Sequence, residues 1–171
     1  MDYNLDILER KGYIRRHSGV SRGIELLTRN SSRESKLRVP LIGLIAAGEP
    51  IPVPSPDVWD ITAGAETVEV TEDLTQGKSG VYALKVKGRS MVDALINNGD
   101  IILMQYVNVV EDGETAAVWL KAEKEVTLKK VYREPSRIRL QPANSQMKAI
   151  YTAPGNVEVQ GRVIAVIRRL A

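Results

Sequence analysis

The sequence predicts a mainly β protein, in which a compact β-rich domain follows a short helix-and-hairpin start. Three observations carry this reading. From Val39 onward the apolar residues come in short runs broken by Gly, Pro and Asn, and little helical periodicity interrupts them. The runs are VPLIGLIA, VYALKVKG, DIILMQYV, TAAVWLKA, VTLKKVY, RIRLQP and VEVQGRVIAVIRRL. Residues 28–38, TRNSSRESKLR, are polar enough to read as a linker and set this domain apart from what precedes it.

At the start, Tyr3 and Ile7 are four apart and Leu5 and Leu8 three apart, the spacing of an apolar helical stripe. Asp2 is placed to cap a helix over residues 3–11, and Gly12 to end it. Tyr13–Arg16 and Gly23–Leu27 then read as two strands of a hairpin around a Gly-containing loop. A helix followed by a basic hairpin fits the C-terminal half of a winged helix. The residues before the hairpin leave no room for the helix that would enter a major groove. The expected organisation is a partial winged-helix remnant at 1–28, a linker at 29–38 and a β domain at 39–171. Within that domain Ser90–Asn97 is the one helical candidate, ended by Asn98-Gly99.

Composition narrows the chemistry. With 43% hydrophobic and 26% charged residues the chain has an ordinary globular composition. No apolar run approaches the ~20 residues that span a bilayer, and the acidic start lacks the layout of a signal peptide. A cytoplasmic protein with no membrane partner is therefore expected. Cysteine is absent, which excludes disulfides, thiolate nucleophiles and Cys-based zinc sites. The single histidine, His17, lies in a basic stretch far from any candidate nucleophile, so a His-based triad is not expected, nor is any metal or cofactor. A hydrolase built from this chain would draw its general base from Lys, Asp, Glu or Tyr. Charge is uneven: residues 1–40 hold nine Lys/Arg against five Asp/Glu, and the remainder 15 against 16. That bias suggests a polyanion partner for the N-terminal piece, with a merely solvated basic surface an equal reading.

Two local patterns have catalytic possibilities. In Lys87-Gly88-Arg89-Ser90-Met91 a strand runs through Gly into a Ser at the start of a short helix. Backbone N–H groups exposed there suit an oxyanion, although a Ser in this position is more often simply a helix cap. In Glu125–Tyr132, strand alternation puts Thr127, Lys129 and Val131 on one face and Val126, Leu128 and Lys130 on the other. One of the two lysines must then face the interior. Such a lysine serves as a base only if burial lowers its pKa, and a shift of about three units costs the native state about 4 kcal/mol. Two solvated lysines on an edge strand are the plainer alternative.

A third segment, Ala46-Ala47-Gly48-Glu49-Pro50, changes the balance. With it the chain resembles the LexA repressor family, part of a wider group that includes UmuD-type proteins and phage repressors. The segment is similar to the family's cleavage site, with the scissile bond between Ala47 and Gly48. Gly88-Arg89-Ser90-Met91 matches the G-x-S-M nucleophile motif, and Glu125–Lys130 matches the E-V-T-[VL]-K-[RK] strand, which singles out Lys129 as the base. Similarity extends to Asn98-Gly99-Asp100, Pro142-Ala143-Asn144-Ser145, Val163–Arg169, and upstream to residues 10–14 and 19–24.

The resemblance implies a small, strongly bent, barrel-like β domain in which Ser90 and Lys129 meet in a cleft. It implies a serine peptidase whose substrate is its own Ala47–Gly48 bond, stimulated by a RecA–single-stranded DNA filament after DNA damage (the SOS response). It further implies a homodimer and an operator-DNA partner, contacted by the wing-like Arg15, Arg16 and Arg22. The family's DNA-binding domain is normally complete, whereas this chain begins near that domain's last helix, so weak operator binding is expected. An UmuD-like lesion-bypass subunit is a weaker alternative, because such proteins lack the wing-like residues 13–27. A non-enzymatic dimerisation module, with Ser90 a cap and Lys129 a surface charge, is the alternative from another class.

Overall fold

The computed structural model describes residues 3–11, 13–16, 24–26, 36–45 and 66–170. The chain divides into two compact units, Met1–Lys36 and Leu37–Ala171. The boundary falls inside the polar stretch expected to link them, because the first strand of the larger unit already opens at Lys36.

In the first unit, helix α1 (Tyr3–Arg10) precedes a hairpin of β1 (Ile14–Arg16) and β2 (Ile24–Leu26), paired antiparallel with Ile14 opposite Leu26. Ile14 is buried, so the hairpin has a small apolar anchor. Arg16 ties the two elements together: its backbone N–H and its Nε donate to the Glu9 carboxylate at 3.0 and 2.9 Å, and its guanidinium also pairs with Asp6. These bonds hold the Glu9 carboxyl below the usual carboxylate range. Of the three arginines expected to face DNA, Arg15 is exposed, Arg16 is engaged by two carboxylates, and Arg22 lies outside the described residues.

The larger unit is mainly β. Its strands are β3 (Lys36–Ile45), β4 (Thr67–Thr71), β5 (Val81–Val86), β6 (Ile101–Gln105), β7 (Thr115–Leu120), β8 (Glu125–Arg133), β9 (Ile138–Gln141), β10 (Ile150–Thr152) and β11 (Val157–Ile167). They form one sheet in the order β10-β9-β8-β7-β11-β6-β5-β3-β4, in which β10 to β5 pair antiparallel and β3 runs parallel to β5. A one-turn helix, α2 (Glu72–Thr75), follows β4.

The long β11 is the spine. Its first half pairs with β7 and its second half with β6, with register shifts between Val159 and Gly161 and between Val163 and Ala165. Each bulge adds a residue to one side of the ladder and bends the strand, so the β5–β6 and β7–β8 halves face one another. The largest apolar cluster fills the space between them: Tyr82 and Leu84 from β5, Ile102 and Met104 from β6, Val126 and Leu128 from β8. Two smaller clusters cover the outer faces, one around Ala116, Val118 and Leu140, the other around Val39, Ala83 and Leu103. Strands buried on both faces explain why the sequence shows apolar runs such as IILM in place of clean alternation.

One expectation is corrected. Ser90–Asn97 does not form a helix: only Val92–Ala94 makes a single 3₁₀ turn, and Leu95 stops it with φ of +61°. Leu95 N–H and Ile96 N–H turn back onto Val92 and Met91, burying Ile96 in the main cluster. Two buried anchors five residues apart, Met91 and Ile96, favour this tight turn over an amphipathic helix.

Candidate active site

The site is assembled where β5 ends and the first half of β8 passes. After Val86 the chain reaches Gly88, whose φ of +106° lies in a region that L side chains rarely adopt. Its N–H donates to Asn98 Oδ1 at 3.0 Å, while Val86 N–H donates to the Asp100 carbonyl at 2.8 Å. The loop before β6 thereby fixes the turn that carries Ser90. That loop is itself anchored. Asp100, 3% exposed, receives Nε and Nη2 of Arg168 at 2.8 and 2.7 Å and the Asn97 N–H at 2.7 Å. Arg168 beside it is the main reason the Asp100 carboxyl is held below its ordinary range.

Of the two lysines on β8, the structure buries Lys129, at 5% exposed, and leaves Lys130 half-buried. Lys129 Nζ donates to Thr127 Oγ1 at 2.6 Å and to the Leu128 carbonyl at 3.0 Å. The Ser90 hydroxyl donates to the same Leu128 carbonyl at 3.5 Å, the long limit of a hydrogen bond. Hydroxyl and amine therefore converge on one oxygen. Burial pushes the Lys129 pKa down to about 8, with the Glu125 carboxylate acting weakly in the opposite direction. Near neutral pH a usable fraction of this amine is uncharged, which a solvated lysine would not offer.

Both groups line a cleft of about 370 Å³ whose other walls include Ile45, Val86, Val126 and Met147. The β9 register begins at Lys130, and among the described residues 125–129 pair with β7 alone. A stretch of strand paired on one side can take an extended segment on the other. Ile45, at the cleft, ends β3; the expected cleavage residues Ala47 and Gly48 follow it in sequence and lie outside the described residues.

Thr127 and Asn144 were given no role in the sequence reading. For Thr127 a signal existed, since strand alternation puts it on the same face as Lys129. For Asn144, whose amide reaches the Arg89 carbonyl at 2.8 Å across 55 residues of sequence, no local pattern pointed to the contact.

A bent β-sheet with a hydroxyl and a buried amine in one cleft defines a class of protein, and comparison with known proteins agrees: the Peptidase S24-like family matches residues 40–164. The chain is 51% identical to the LexA repressor of Herpetosiphon aurantiacus, over 98% of its own length and 79% of that protein. It is 45% identical to the LexA repressor of a Roseiflexus species, over 98% and 78%, and 36% identical to that of Koribacter versatilis, over 95% and 76%. The chain belongs to the LexA repressor family, whose peptidase domain is of the self-cleaving serine type. No helix among the described residues is long and apolar enough to cross a membrane.

Proposed function

We propose that this protein is a transcriptional repressor of the SOS response that inactivates itself by cutting its own Ala47–Gly48 bond with a Ser90–Lys129 dyad. The observation that carries the reading is the buried Lys129 amine, which shares the Leu128 carbonyl with the Ser90 hydroxyl at the edge of a cleft. Uncharged Lys129 takes the proton from Ser90 Oγ as that oxygen attacks the Ala47 carbonyl carbon. Backbone N–H groups at the Ser90 turn hold the oxyanion. Collapse breaks the C–N bond, Lys129 returns its proton to the departing Gly48 amine, and water then hydrolyses the Ala47 ester.

Because catalyst and substrate are one chain, positioning supplies roughly 7–11 kcal/mol of the barrier. Two brakes hold the reaction back: protonation of Lys129, and a cleavage segment held away from the cleft. A RecA–single-stranded DNA filament that binds the docked arrangement more tightly releases the second brake by population shift. Cutting there separates the operator-binding piece from the homodimerising peptidase domain. The β1–β2 hairpin favours a repressor over an UmuD-like subunit.

The test is mass spectrometry after alkaline incubation. Fragments ending at Ala47 and beginning at Gly48, present in the wild type and missing in Ser90→Ala and Lys129→Ala, support the reading. Normal cutting by Lys129→Ala refutes the dyad.

A further inference from the structure

The Ser90 side chain does little to hold itself in place. Its contact to the Leu128 carbonyl is 3.5 Å long, and the residues after it make one 3₁₀ turn where an α-helix would have given a rigid frame. Residue 88 adds a backbone conformation open mainly to glycine. Something outside the turn must set where the hydroxyl points.

Besides the loop before β6, the loop between β9 and β10 contacts this turn at several atoms. Asn144 Nδ2 donates to the Arg89 carbonyl at 2.8 Å, on the peptide bond whose nitrogen belongs to Ser90. On the other side of Ser90, the Ala143 N–H reaches Met91 Sδ at 3.5 Å. Beyond it, Asp93 N–H donates to the Ala143 carbonyl at 2.7 Å and Asp93 Oδ2 accepts the Ser145 N–H at 2.8 Å. Asn144 is itself held, since its Oδ1 accepts the Gln146 N–H at 2.9 Å and its carbonyl accepts the Met147 N–H at 3.0 Å. The amide is thus oriented by its own loop before it grips the nucleophile turn.

We propose that Asn144 is a positioning residue for the Ser90 nucleophile: its amide locks the Arg89–Ser90 peptide plane and so aims the hydroxyl at the neighbouring amine and the scissile carbonyl. This rests on the Ser–Lys peptidase reading above. A group that aims Ser90 affects how fast a correctly protonated dyad reacts. It leaves the protonation of Lys129 alone, because none of its contacts reaches that amine.

The experiment follows full-length wild type, Asn144→Ala and Asn144→Asp in two assays across pH 6–10. One is self-cleavage by mass spectrometry; the other is labelling of Ser90 by a small fluorophosphonate, which needs no docking of the chain's own segment. Asn144→Asp keeps an oxygen for the Gln146 N–H and replaces the donor to Arg89 with a charged acceptor that the Arg89 carbonyl repels, so it remains informative if the alanine variant folds poorly. Expected is a fall of about 10- to 100-fold in the high-pH plateau of both assays in both variants, the scale of an ångström-sized misplacement. In Asn144→Ala, which adds no charge, the midpoint pH should stay where it is in the wild type. Plateaus equal to wild type overturn the proposal, and so does a shifted midpoint at unchanged plateau in Asn144→Ala, which would place the effect on Lys129. A wild type that neither cuts nor labels removes the peptidase reading and this inference together; a wild type that does both while Asn144→Asp keeps pace removes the inference alone.

Discussion

Thr127 and Lys129 stand two residues apart on one face of β8, joined by a 2.6 Å hydrogen bond from the lysine amine to the threonine hydroxyl. In a strand, residues at that spacing project in parallel, so the pair is a product of local geometry alone. The bond gives a buried amine an acceptor that stays with it whether charged or neutral, and it stops the long side chain from sampling other rotamers.

Removing that acceptor by Thr127→Val has two expected consequences. The ammonium form loses a partner, so the amine's pKa falls further below about 8. The amine is also less well held, so the plateau rate of self-cleavage drops about 10-fold. Thr127→Ser, which keeps the hydroxyl, should stay near wild type. Cleavage rates measured against pH for the three proteins decide it, and a valine variant with an unchanged profile would deny Thr127 any part.

The pH dependence of the wild type follows from the same amine. Under the proposed dyad the reactive form is uncharged, and burial lowers its pKa to about 8. About one-tenth of molecules then carry a neutral Lys129 at pH 7, rising towards all of them near pH 10. The self-cleavage rate should climb about tenfold from pH 7 and level off above pH 9. A rate still rising steeply at pH 10.5 would mean an ordinary solvated lysine and no burial.

Stability should show the opposite side of that arrangement. A lysine with a depressed folded pKa binds its proton more weakly in the native than in the unfolded state, so it destabilises the fold wherever the unfolded chain is charged and the amine must stay protonated or lose its proton. The penalty is complete below about pH 8 and is relieved as pH rises from there to the unfolded value, 10.5. In a Ser90→Ala background, Lys129→Met should therefore be more stable than its parent at pH 6.5. The gap should narrow by up to about 3 kcal/mol towards pH 10. Urea melts of the two proteins at both pH values measure it; a constant gap would contradict a depressed pKa.

How much of this was legible beforehand varied with the kind of interaction. Seven of the larger unit's strands coincide with apolar runs read directly from the chain, because each contributes several apolar side chains to the clusters. Strands β4 and β10 were missed. Thr67–Thr71 alternates, but with only Val68 and Val70 as apolar members, and Ile150–Thr152 has only three residues, so neither has a strong local signal. Ser90 and Lys129 were found through motif resemblance, and alternation alone left Lys129 and Lys130 equivalent. Which one is buried depends on the other strands: Lys129, opposite Ala116 on β7, faces the cleft, whereas Lys130, opposite both Thr115 on β7 and Gln141 on β9, stays half-buried. Asn144 was invisible for a related reason, as its partner lies 55 residues away and only the folded domain brings them together.

Gly161 is the clearest case of a residue whose role appears only in three dimensions. It sits in the β11 bulge, opposite Ala117, with no side chain to mark it. A Cβ added there would lie 2.5 Å from the Tyr82 hydroxyl and 2.9 Å from the Gln105 carbonyl oxygen. Neither obstacle can yield easily: the tyrosine is fully buried with its hydroxyl donating to the Gln160 carbonyl at 2.9 Å, and the other atom is backbone of β6. Gly161→Ala should therefore overpack the bend and cost about 2–3 kcal/mol in a urea melt. In Tyr82→Phe the closer of the two clashing atoms is gone, so the added cost of Gly161→Ala should shrink in that background, a coupling that a double-mutant cycle reads directly. Strictly additive effects would mean that the bend depends on something other than this contact.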